Sequence, residues 1–150
     1  MVRIKHRYLL INILYPNAPD ATSKFDGDLP PVVQFQQPSP DNLESQILLR
    51  AIRESVVHLF GDYGAGLISS SLKVNYLSQA TSTAIIRVAR SQLRIVWAAL
   101  TFITRLPKPV NTACVIHVVR VSGTIRKAEE AAIQRARESV LKARREAEGK

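Results

Sequence analysis

The spacing of apolar residues changes repeatedly along the chain, and each change predicts an element. Residues 4–15 (IKHRYLLINILY) are rich in Ile, Leu and Tyr with no breaker before Pro16, which predicts a strand. From 16 to 40 the composition shifts to Pro, Asp, Ser, Gln and Gly with little periodicity, predicting a flexible Pro-rich insertion without a core of its own. Leu43, Ile47, Leu48, Ile52, Val56, Leu59 and Phe60 then recur at three- and four-residue spacings behind Asp41, a suitable N-cap, which predicts a helix over 41–60. The three glycines of FGDYGAG (60–66) predict its end, followed by a turn or short second helix over 65–71.

Residues 72–78 (LKVNYLS) alternate like a strand, and QATS joins them to TAIIRVAR at 83–90, predicting an antiparallel hairpin. A second helix is predicted over 91–104, with Leu93, Val96, Trp97, Leu100 and Ile103 on one side, ended by LPKP at 106–109. ACVIHVVRV (113–121) reads as a last strand, and from about 124 the chain is Ala-, Arg- and Glu-rich and strongly helix-forming. The order is β-α-β-β-α-β plus a C-terminal helix. That is the split βαβ arrangement, an α/β (α+β) sandwich of the ferredoxin-like, RRM-like kind. One face of the antiparallel sheet buries two helices; the other needs a partner, a covering segment or water.

A chain of 150 residues fits one domain with a sizeable core. Its charge balance narrows the partners. Lys and Arg total 21 against 12 Asp and Glu, a formal charge of +9, which points to a polyanion. The run from Tyr63 to Ala128 contains no carboxylate, yet it holds Lys73, Arg87, Arg90, Arg94, Arg105, Lys108, Arg120, Arg126 and Lys127. A lone Cys114 allows no internal disulfide and fits a reducing compartment. The apolar run at 8–15 is too short to span a bilayer and has no cleavage site after it, so no membrane or secretory role is expected.

Enzyme chemistry finds little footing. Metal-assisted phosphodiester cleavage needs clustered carboxylates, and the predicted sheet is nearly free of them. His6, His58 and His117 lie on different elements with no ligand spacing. Cys114 and His117, three apart in a strand, point to opposite faces and cannot form a nucleophile pair. No catalytic residue is assigned and no metal is expected on the protein.

Binding chemistry has better material. In VRIKHRYLL, alternation puts Arg3, Lys5 and Arg7 on one side and Ile4, His6 and Tyr8 on the other. In VRVSGTIRK (119–127), a helix begins with Arg126 and Lys127, although the helix macrodipole already makes that end positive. Ser122 or Thr124 can cap that helix, and Gly123 permits close approach of another backbone. Free N–H groups with two cations beside them describe an anion site suited to phosphate. The sheet lacks the paired aromatics of RNP motifs, so Tyr8 and Tyr76 are read as packing residues and RNA would be read through shape and backbone.

Together VRIKHRYLL (2–10), HLFGDYG (58–64), TAIIRVAR (83–90), LRIVWAALTFIT (93–104) and VSGTIRK (121–127) resemble the "processing of precursor five" family. These are small protein subunits of eukaryotic ribonuclease P and ribonuclease MRP and of archaeal ribonuclease P. The resemblance covers most of the chain outside the insertion and the tail. It implies an RNA-recognition-like fold without RNP motifs and a non-catalytic role, the RNA cutting precursor tRNA at its 5′ end with magnesium ions. It implies binding to ribonuclease P RNA and ribonuclease MRP RNA, a TIM-barrel-fold protein partner, a second small α/β partner, and a nuclear and nucleolar location. Carried over, RNA contact falls to Arg3, Lys5, His6, Arg7, Ser122, Gly123, Thr124, Arg126 and Lys127, with Arg120 beside them. Two features depart from the family: a longer insertion at 16–40 and a mixed, net basic tail. The alternative is a ferredoxin-like adaptor that binds only protein; a free-standing nuclease would have to cleave without added RNA.

Overall fold

The computed structural model describes residues 3–16, 38–108 and 110–149. The Pro-rich insertion predicted over 16–40 therefore lies mostly outside the described residues. β1 (His6–Leu14), β2 (Lys73–Ser78), β3 (Thr83–Ala89) and β4 (Val115–Ser122) form one sheet in the order β2-β3-β1-β4, every neighbouring pair antiparallel. This is the strand order that the split βαβ connection produces.

Three α-helices accompany the sheet: α1 (Ser45–Ile68), α2 (Leu93–Phe102) and α3 (Ile125–Glu148). On one face Leu9, Ile11 and Ile13 of β1 pack with Ile86 and Val88 of β3 against Leu48, Ile52 and Val56 of α1 and Val96 and Leu100 of α2. The other face is not left to water. Leu10 and Ile85 pack against Ala128 of α3, with Tyr8, Val119, Ala131 and Ala132 around them. Small alanines let α3 lie close on the sheet, and its unpaired apolar half-face is thereby removed from water. Both faces of β1 are thus covered, which explains why it reads as a continuous apolar run rather than an alternating one. Beyond Ala132 a groove of about 580 Å³ opens between α3 and the sheet, with Tyr76, Ile85, Ile133 and Val140 among its walls.

Several expectations need correction. α1 begins at Ser45 behind Glu44, and no side chain caps it; Asp41 lies outside the helix. The Asp41 and Leu43 carbonyls instead accept hydrogen bonds from the Gln79 side-chain amide. The glycines of 60–66 do not end the helix either. Gly61 adopts φ 69° and ψ −165°, and the helix resumes beyond it to Ile68. The last correction is Trp97, placed by spacing with the core of α2 but 43% exposed, while Ala99 is fully buried.

Gly61 gives a clean stability test. Its conformation is open essentially to glycine alone, and nothing lies within 4 Å of where a Cβ would stand. Gly61→Ala should therefore cost about 1–3 kcal/mol from backbone strain alone. Gly66, in ordinary helical geometry with equally open space, should gain up to about 1 kcal/mol as Gly66→Ala. Denaturant unfolding of the two variants should move in opposite directions; a parallel shift would contradict the kink.

A candidate RNA interface where the first strand and last helix begin

β3 and β4 both run antiparallel to β1, so their C-terminal ends lie beside the N-terminal end of β1. Tyr8 is paired with Ser122 and His6 with Ala89. One residue further, the Arg7 guanidinium lies 3.8 Å from the place a Cβ would occupy on Gly123. Residues more than a hundred positions apart in sequence are thereby joined into one end of the sheet. Arg7 is held there by a hydrogen bond from its Nη1 to the His6 carbonyl, 2.9 Å. Arg3 and Lys5 precede β1 and are exposed, while His6 is half-buried.

The helix end beside them has the predicted chemistry. Thr124 is the N-cap of α3, its hydroxyl oxygen accepting from the Lys127 N–H at 3.3 Å. No acidic residue occupies the first turn. Arg126 pairs with Glu130, Nε to Oε1 3.2 Å, but with side chains 87% and 62% exposed. An i,i+4 pair so open to solvent is worth only a few tenths of a kcal/mol and yields readily to a phosphate. Among the described residues Arg3, Lys5, Arg7, Arg120 and Lys127 make no ion pair.

Two predicted contacts are placed differently from the rest. Ser122 is 95% buried by its 5% exposure, and its Oγ meets no hydrogen-bond partner, so Thr124 supplies the cap. Arg120 is exposed but sits opposite Leu10, on the far side of a β-bulge and away from the Arg7–Gly123 approach. Arg90 was not among the predicted contacts, yet its N–H bonds to the Lys5 carbonyl at 2.8 Å. The acid-free run pointed to it; only the strand order places β3's end against β1's start.

The remaining reactive side chains stay apart. Cys114 is buried in the main core whereas His117 is exposed on β4. Burial pushes the Cys114 thiol up to about 11, Arg105 opposing the shift. Native protein should therefore resist iodoacetamide at pH 8 and react only once unfolded, read by mass spectrometry; prompt native alkylation would contradict that burial. Among the described residues no three His, Cys, Asp or Glu side chains cluster as metal ligands, and no helix is long and apolar enough to cross a membrane.

Comparison with known proteins assigns this arrangement to a family. The family model described as Rpp14/Pop5 matches residues 7–133. The chain belongs to the Rpp14/Pop5 family. It is 48% identical over 136 residues to the "Ribonuclease P/MRP protein subunit POP5" of Schizosaccharomyces pombe, covering 90% of this chain and 88% of that protein. The Saccharomyces cerevisiae protein of the same name is 34% identical over 139 residues, covering 90% and 77%. The human one is 29% identical over 142 residues, covering 94% and 76%. The Rpp14/Pop5 fold also resembles a chain in the cryo-EM structure of yeast ribonuclease MRP, with a TM-score of 0.51 and 10% identity over 96% of this chain and 98% of that one.

Proposed function

We propose that the chain is a non-catalytic protein subunit of ribonuclease P, which matures the 5′ ends of precursor tRNA, and of ribonuclease MRP, which processes ribosomal RNA. Its relatives carry the name of such a subunit. One structural observation carries the RNA-binding role: Arg7 against Gly123, with Arg3, Lys5, Thr124, Arg126 and Lys127 around them, forms an end of the sheet rich in cations and free N–H groups. Such a surface offers charge and donors to phosphate oxygens and leaves sequence unread, as suits a protein that holds a folded RNA.

With α3 lying on the second face of the sheet, base stacking there is blocked, and binding follows the sugar-phosphate backbone. Magnesium required for cleavage belongs on the RNA, where phosphate oxygens supply ligands that this chain's described residues do not gather. A TIM-barrel-fold subunit and a second small α/β subunit are its proposed protein partners, and the nucleus and nucleolus its location.

Sequencing the RNA retained by a tagged copy tests the proposal. Ribonuclease P RNA and ribonuclease MRP RNA should dominate. Recovery of partner proteins with no discrete RNA would favour the adaptor reading, and cleavage of precursor tRNA by the pure chain in magnesium would contradict a non-catalytic role.

A further inference from the structure

The cationic end of the sheet does not stop at β1. β3 ends at Ala89, the 3-10 turn Arg90–Gln92 follows, and α2 starts at Leu93. The Arg90 N–H to Lys5 carbonyl bond ties this turn to the segment that carries the β1 cations. Arg90 and Arg94 are exposed, and neither forms an ion pair among the described residues. α2 has no acidic residue in its first turn, as α3 has none. The two helices thus begin at the same end of the sheet, on the strands that flank β1.

We propose that Arg90 and Arg94 form a second arm of the phosphate-binding surface, so that one stretch of RNA backbone crosses the sheet's end from α3, over Arg7 and Lys5, to the start of α2. The inference rests on the RNA-binding reading above and deepens it. Geometry supports a continuous track. Neighbouring strands lie about 4.8 Å apart, so the ends of β3 and β4 are separated by roughly 10 Å with β1 between them. A backbone advancing about 3.4 Å per nucleotide spans that distance in a few phosphates. Cations on one arm alone would fix a single point; on both arms they fix the direction in which the strand crosses. Charge from two unpaired guanidiniums also has no structural use at this position, because Arg90 is held through its main chain rather than its side chain.

The test uses the full chain and a transcribed ribonuclease P RNA, with affinity measured across a salt series. Arg90→Gln with Arg94→Gln should lower affinity about tenfold or more and make the slope of log K against log salt shallower by roughly one to two, as loss of two phosphate contacts requires. Arg53→Gln, an exposed cation within α1, should change neither. If the Arg90/Arg94 variant binds like the parent while Arg126→Gln with Lys127→Gln is weakened, the second arm is wrong and the primary reading stands. If neither pair alters affinity or slope, the RNA-binding reading itself fails. Circular dichroism of both variants separates lost contacts from lost fold.

Discussion

Reversing both first-turn cations of α3, Arg126→Glu with Lys127→Glu, should weaken binding to a transcribed ribonuclease P RNA by about a hundredfold or more near physiological salt. The argument is electrostatic. Each lost phosphate contact removes counter-ion release from the binding equilibrium, so the salt slope should become shallower by nearly two, and the new carboxylates add repulsion. The folded chain should hardly notice. Arg126 gives up only an exposed pair with Glu130, and acids at a helix N-terminus interact favourably with the macrodipole. A variant of unchanged melting temperature and greatly reduced RNA affinity is therefore expected. Unchanged affinity and slope would remove the anion site from the account.

The largest stability effect is expected beneath the same helix. Ala128 is fully buried against Leu10 and Ile85, in a layer with no polar neighbour to receive a charge. Ala128→Asp would either bury a carboxylate without a partner or lift α3 from the sheet. The first costs several kcal/mol by desolvation, and the second returns the apolar faces of Leu10, Ile85 and Tyr8 to water. The expected loss is more than about 3 kcal/mol, with a rise in binding of a hydrophobic dye. RNA affinity should fall too, because the Thr124–Lys127 turn is positioned by that packing. A variant with parental stability would show that α3 does not rest on the sheet. Ala131→Ser, at the half-buried margin, should be mild by comparison.

The sheet and its order were legible because each strand carried β-branched or aromatic residues bounded by turn chemistry, and because β-α-β-β-α-β admits few arrangements. The helix that covers the second face was foreseen only as one of three options: period alone does not say where an alanine-rich stripe will dock. Gly61 misled because a glycine inside a helical pattern marks either a stop or a kink, and only its backbone angles distinguish them. Trp97 misled for a related reason. Its spacing suited the core stripe of α2, but Ala99 and Leu100 fill the space against α1. At the interface, Arg7 and the SGT turn could be joined only through the family resemblance, and Arg90 only through the register of β1 and β3. Local charge pattern reveals which residues are available to an anion, whereas tertiary pairing decides which of them meet.

Lysine acetylation of the full chain, alone and saturated with a transcribed ribonuclease P RNA, tests that meeting most directly. Lys5 and Lys127 should lose reactivity together when RNA binds, while Lys108, in the loop after α2, and Lys142, far along α3, react as before. Protection of Lys108 or Lys142 with Lys5 and Lys127 still fully reactive would place the RNA elsewhere and contradict the account.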